Sequence, residues 1–543
     1  MMMKRTTVKR ALALLLTAVL LLPVGVLGMA VSAKSAYVPV IYIAGDTDIK
    51  YRDEDGVEHE VYDDGEYIET LLSNAIGDFA KGVVTGDWEA YSQKALDVFL
   101  PAYEHYAPDL EGNFPPESYV DWEWRPEWIA PNRANIYNVN YENCYVYRLD
   151  KRMSPLDMAD DLERFVQTIK EKTGQDKVAF FARCLGPVAL YAWLYEYARP
   201  RNYADVDSIV ITATTANGVD YGEACYTGNV VITEEAARNY LLGYYTWDDI
   251  VGGALAEFLN AAVPVLRTSY GLTIGVKELN KIYTGLKDVF FAKLIKAYYG
   301  RQLGFMACVK DNFDDMIPYL YGEEGDDVKY AYYIDKLTEY HETVQAEIED
   351  ILVEMREDYG IDVNVIAYYG CRQAYPVHVD SNLTGDYQVG TRQQSFNATV
   401  SEVDKKLSDE TLAATIAAGK EKYISPDRMI DASTCLFPDN TWFIRNCDHQ
   451  WPAGMHELAT RLIRNKGCDI NTYEDYPQFL NLLDDLETVV PAQETNENDW
   501  HYTVTGEEKV EAYANFAQLL LDKLHSFLMG LMDLIRRLVS AVR

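Results

Sequence analysis

Apolar positions along this chain fall into three patterns. The first is the short unbroken apolar run expected of a strand buried on both faces of a parallel sheet. Lys177–Ala182 (KVAFFA) is the clearest, and Asp207–Thr212 (DSIVIT) and Asp362–Tyr369 (DVNVIAYY) repeat it. Tyr37–Ala44 (YVPVIYIA), ending at Gly45, Cys144–Leu149 and Thr441–Ile444 (TWFI) are shorter versions, TWFI being the last. The second pattern is helical spacing, as in Leu156, Leu162, Phe165, Val166 and Ile169. Ser154-Pro155-Leu156-Asp157 supplies a start for that helix, with Ser as cap, Pro at the first helical position and an acid in the first turn. Gly174 supplies its stop. Pro187–Tyr197 reads as the next helix. Residues 140–215 therefore alternate strand and helix, which predicts an α/β fold with a mostly parallel sheet and right-handed crossovers.

From about 220 to 360 helical periodicity takes over, in Ile250–Leu259, Val276–Leu294 and Ala331–Met355. That stretch predicts a helical cap inserted between two parts of the core. Met455–Ile463 reads as the final core helix. Residues 46–140 are acidic, tyrosine-rich and loop-like, with a Pro/Trp cluster around Pro115–Pro131. The third pattern is the tail. Phe516, Leu519, Leu520, Leu524, Phe527, Leu531, Leu534, Leu538 and Val542 step by threes and fours, which predicts an amphipathic helix with Arg536, Arg537 and Arg543 near its end. Such a helix docks on its own body, self-associates or lies on a membrane surface. The expected division is 1–33 signal peptide, 34–219 first core part, 220–360 cap, 361–480 second core part and 481–543 C-terminal extension.

The N-terminus adds a compartment. Lys4, Arg5, Lys9 and Arg10 precede an apolar run from Ala11 to Leu22, and Val31-Ser32-Ala33 offers small residues at a cleavage site. That order is a secretory signal peptide, so the protein is expected to be secreted or held at the cell surface, with an uncleaved anchor as the alternative. Over 543 residues, 85 acids oppose 49 Lys and Arg, a formal charge of -36. Such a surface repels phosphate backbones, which excludes nucleic acid as a partner through a general basic face. Eight cysteines are spread thinly with no CxxC pair, which gives neither a zinc ribbon nor a disulfide-dense scaffold.

The candidate chemistry lies where KVAFFA runs through Arg183-Cys184-Leu185-Gly186 into a helix. A nucleophile on such a turn stands above the sheet edge, at the positive end of the helix dipole. Crowding there demands small residues two before and two after, and these are Ala182 and Gly186. A thiol in that place gains thiolate character, and the backbone N–H of Leu185 points toward a developing oxyanion. A second donor is expected near Gly45 and Asp46. In the chain order nucleophile, acid, base, His449 follows TWFI and is the expected base. His456, inside the next helix, is second; His341, His378 and His501 are the other histidines between the turn and residue 501. The acid is expected after the 362–369 strand, at Asp386, with Asp427, Asp431 and Asp439 as competitors.

The stretch from Arg148 to Tyr197, with Leu149-Asp150-Lys151-Arg152 and ARCLG, resembles bacterial exported α/β-hydrolases related to lipases and lecithin–cholesterol acyltransferase. In those relatives a "YDWR" motif precedes a helix, a strand and G-x-S-x-G or G-R-C-L-G. Gly385-Asp386-Tyr387-Gln388-Val389 is similar to their acid-bearing "SDGVI" loop, and Phe437–Phe443 to the segment leading into their histidine. The resemblance covers roughly 37–216 and 360–465. Three departures stand out: Cys184 for the usual Ser, Ala182 for Gly, and Tyr387 for the Gly of the acid loop. Dienelactone hydrolases use Cys at the first of these places. The resemblance implies an α/β-hydrolase fold and a Cys184–His449–Asp386 triad acting on an ester or acyl, lipid-like substrate, by hydrolysis or acyl transfer. The sequence holds no HExxH, P-loop or dinucleotide fingerprint, so no metal or organic cofactor is expected. The alternative is a non-catalytic surface protein that keeps the fold as a binding module.

Overall fold

The computed structural model describes residues 38–45, 49–53, 55–60, 75, 77–79, 81–120, 143–234, 236–237, 271–371, 375, 377–403, 405–449, 455–483 and 488–494. The expected signal peptide at 1–33, Asp46, most of the Pro/Trp cluster, Ile250–Leu259, His501 and the expected tail helix lie outside the described residues. No helix among the described residues is long and apolar enough to cross a membrane.

The strands are β1 (Val40–Ala44), β2 (Ile49–Arg52), β3 (Glu58–Glu60), β4 (Ser118–Val120), β5 (Cys144–Arg148), β6 (Val178–Arg183), β7 (Val206–Thr212), β8 (Asp362–Tyr369), β9 (Thr399–Val400), β10 (Ile430–Asp431), β11 (Thr441–Arg445), β12 (Phe479–Leu482) and β13 (Val489–Pro491). Eight of them form one sheet in the order β13-β12-β11-β8-β7-β6-β1-β5. Every pairing in it is parallel except β12 with β13. The apolar runs explain this: all six residues of β6 are buried, because helices cover both faces. One face carries Pro155–Thr173, Gly186–Trp193 and Ala346–Glu357, whose Leu162, Phe165, Leu190 and Ile351 pack on Ile41, Phe180 and Ile209. The other carries His456–Arg464, packed through Leu458 and Leu462 on Tyr42, Phe181 and Ile444.

The helix Pro155–Thr173 starts and stops as its sequence signals require. Ser154 Oγ accepts the Asp157 N–H at 3.1 Å, and Gly174 ends the helix at φ 66°. Between β7 and β8, helices including Phe313–Tyr321 and Ala331–Tyr340 enclose a second apolar core around Leu303, Met306, Met316, Tyr333 and Leu337.

Two expectations are corrected. The loop-like stretch at 46–140 contains the helix Glu89–Glu104 and the strands β2, β3 and β4, which form their own antiparallel sheet. That helix has no side-chain N-cap bond and carries Pro101, so its sequence lacks a helix signature; its partners Leu286 and Phe290 come from far along the chain. TWFI is not the last strand, since β12 and β13 extend the sheet beyond β11. Both are short, and β13, Val489-Val490-Pro491, is an edge strand with no fully buried residue.

Candidate active site

From β5 the chain crosses β1 to β6 and then winds steadily through β7, β8 and β11. The reversal falls at β1 and β6, and a crevice at the carboxyl ends of strands opens at such a point. Cys184 stands there, directly after β6. Its φ is 58°, a left-handed backbone that a cysteine rarely adopts. The conformation is held from β7 and its following loop. Cys184 N donates to Thr212 O at 3.3 Å, and the Cys184 carbonyl accepts from Thr215 N at 3.0 Å and Thr215 Oγ1 at 3.1 Å.

Two glycines make the turn sterically feasible. A Cβ on Gly186 would lie 2.4 Å from the Ile43 carbonyl oxygen. One on Gly45 would lie 2.4 Å from Leu185 N and 2.5 Å from Cys184 Cβ. The end of β1 thus passes against the amide of Leu185, the first residue after the thiol. Ala182 is fully buried, as the small residue two before. Cys184 itself is half-buried.

The candidate acid and base follow the two strands on the far side of β7. After β8 the chain reaches Asp386, fully buried, whose Oδ1 accepts from Gln388 N at 3.0 Å and Val389 N at 2.7 Å. Tyr387 takes φ 74°, the left-handed turn position where glycine is the usual residue. After β11 the chain reaches His449, whose Nδ1 lies 2.8 Å from Asp386 Oδ2. The backbone repeats the link, since His449 N donates to Asp386 O at 2.9 Å. With Nδ1–H donating to the carboxylate, Nε2 is the proton-exchanging nitrogen. It is buried, and the Cys184 sulfur interacts with the ring.

Burial alone would strip the proton from His449. The Asp386 carboxylate, followed by the Cys184 sulfur, outweighs it and raises the imidazole from 6.5 to about 10. The ring is therefore an imidazolium at neutral pH, in electrostatic contact with the thiol on one side and a carboxylate on the other.

The other candidates serve elsewhere. Asp427 pairs with Arg445 at 3.2 Å. Asp431 accepts from Ser433 N at 2.9 Å, and Asp439 binds Lys422 and the Tyr423 hydroxyl. His341 stacks on Phe313 and meets Gln345 at 2.9 Å, and His378 Nδ1 accepts from Asp380 N. His456 is buried at a helix start. Desolvation, with the charge of Arg183, lowers it to about 4, so it stays neutral.

Sequence reasoning passed over Arg183 and Thr215. Arg183, at the end of β6, is buried close to Tyr42, Cys184, Tyr368 and the Asp386 carboxylate, and keeps its charge there although burial works against it. Its place beside Cys184 in ARCLG was the available signal. Nothing in the sequence marks Thr215. All eight cysteines are thiols. Among the described residues, no three His, Cys, Asp or Glu side chains converge as metal ligands.

Compared with known proteins, the chain matches no family model, and no curated protein is significantly similar to it in sequence.

Proposed function

We propose that this protein is an exported enzyme of the α/β-hydrolase fold that cleaves an ester or related acyl bond through Cys184. The observation that carries the reading is the hydrogen bond of His449 to Asp386, at 2.8 Å, beside the sulfur of a strained strand-to-helix turn. The thiolate adds to the acyl carbonyl, and the oxyanion takes the N–H of Leu185, with a second donor expected near Asp46. The tetrahedral adduct collapses, the carbon–oxygen bond of the ester breaks, and His449 Nε2 gives its proton to the departing alkoxide. A water then attacks the thioester while Nε2 takes its proton. The adduct expels Cys184 as thiolate, and the carboxylic acid leaves. An alcohol in place of that water makes the same site an acyltransferase. Asp386 orients the ring and stabilises its charge throughout, without itself taking the proton.

An apolar acyl group suits the surroundings, because the half-buried Tyr221, which lies close enough to Cys184 to interact with it, is in ring contact with the exposed Tyr375 at 4.8 Å. Export rests on the residues of 1–33, and a membrane-surface role for the tail rests on the pattern of 516–542. The test is hydrolysis of nitrophenyl esters of graded chain length. Cys184→Ala should lose at least about a thousandfold in kcat/KM. Equal rates in parent and variant, or no turnover by the parent on any ester, would leave a binding module.

A further inference from the structure

The strained backbone at Cys184 has a support that reaches into the cap. The Cys184 carbonyl accepts two hydrogen bonds, both from Thr215, as set out above. The Thr215 hydroxyl, with its proton committed to that carbonyl, offers a lone pair, and the Cys308 thiol donates to it at 3.2 Å. The other acceptor near that thiol, the Gly304 carbonyl, is farther at 3.9 Å. Cys308 follows the short cap helix Leu303–Met306 and is buried, as is Thr215. Burial pushes the Cys308 thiol up to about 12, so it keeps its proton and remains a donor. One residue along each segment, the two loops are joined again. The Gln345 amide donates to Ala307 O at 2.7 Å and to Ala216 O at 3.5 Å.

We propose that Thr215 is a positioning residue for Cys184, and that the Cys308 thiol and the Gln345 amide make the cap part of the same support. This rests on the reading of Cys184 as the nucleophile. The relay runs from cap thiol to hydroxyl to the carbonyl of the strained residue. It holds the peptide in the one conformation that aims the sulfur at His449 and sets the Leu185 N–H beside it. Loss of the hydroxyl lets that peptide relax toward an ordinary backbone, and the sulfur moves off the imidazolium that stabilises its anion. No contact between Thr215 and substrate is needed.

The experiment follows alkylation of Cys184 by iodoacetamide between pH 5 and 10, read by mass spectrometry of its peptide in the full chain, with thermal unfolding recorded in parallel. Thr215→Val keeps the shape and removes the hydroxyl; it should slow alkylation at pH 7 by about five- to tenfold and move the profile to higher pH. Thr215→Ser, which keeps the hydroxyl, should stay within about twofold of the parent. Cys308→Ala should show a smaller loss that Cys308→Ser repairs. Superimposable profiles for Thr215→Val and Thr215→Ser overturn the inference. Should Thr215→Val fail to fold, equal profiles for the two Cys308 variants overturn it instead, and a difference between them supports it. Alkylation needs no substrate, so the two readings separate. A parent without esterase activity but with this pattern removes the hydrolase and keeps the relay. An active parent whose variants alkylate alike does the reverse.

Discussion

A cysteine at φ 58° is disfavoured by about 1–2 kcal/mol relative to an ordinary backbone, and at residue 184 that strain is met by three hydrogen bonds and two glycines. Gly45→Ala tests the steric half of the arrangement. Its Cβ would collide with Leu185 N and Cys184 Cβ, so ester turnover should fall more than about tenfold, measured as kcat on a nitrophenyl ester, with KM changed less. The histidines set opposite pH limits. His449 is raised to about 10, so its contribution to stability is complete below its unfolded value of 6.5 and is lost as pH climbs through 10. The alkaline limb of the activity profile should follow the same proton. His456 is lowered to about 4, so its contribution is present above 6.5 and is lost as pH falls toward 4. A series of unfolding temperatures from pH 7 to 4 should slope downward, and His456→Leu should make that slope shallower; identical slopes would remove His456 as the cause. At this scale ARCLG and the Asp386 loop were legible, because a tight strand-to-helix turn and a left-handed loop position demand particular residue sizes in sequence. The neutrality of His456 was not, since it depends first on the burial of the ring and then on the guanidinium of Arg183, at the end of a distant strand.

Single elements show how far local signals reach. The helix Pro155–Thr173 is written out in its own residues, and Ser154→Ala should cost about 1 kcal/mol in denaturant unfolding, as the lost bond to Asp157 N requires. β6 is equally explicit. Phe180 is fully buried, with its ring centroid 4.9 Å from that of Trp193, and Phe180→Ala should cost about 3–5 kcal/mol by the same measurement. A loss under 1 kcal/mol would mean that the sheet face packs less tightly than described. The helix Glu89–Glu104 shows the contrary case: neither a cap nor an uninterrupted interior announces it, and burial of Trp88, Ala95 and Leu96 against Leu286 and Phe290 sustains it. β12 owes its place to the exposed flank of β11, and β13 to β12. An isolated four-residue run carries little of that information.

Across the whole molecule the formal charge of -36 opposes compaction. Salt screens such repulsion over about 10 Å at 0.1 M, so the unfolding temperature should rise between low salt and half-molar sodium chloride. Choline chloride should act alike, because the effect is ionic strength and not site binding; a flat response would show that the acids are already compensated by local pairs such as Lys170–Asp205 and Arg199–Glu354.

Taken alone, the order of residues determined the class of fold, the strands β6, β7 and β8, the helix between β5 and β6, and the turn at 183–186. Each follows from neighbours within a few positions: apolar runs, a cap, a stop, small residues around a thiol. Tertiary structure decided which histidine and which aspartate meet, for residues 386 and 449 are tied by a backbone and a side-chain hydrogen bond that no spacing encodes. It decided too that the turn at Cys184 is hydrogen-bonded to Thr215, and Thr215 to Cys308. Contacts between residues so far apart in sequence form only when the sheet has placed the carboxyl ends of its strands side by side, and their energies depend on the water excluded there.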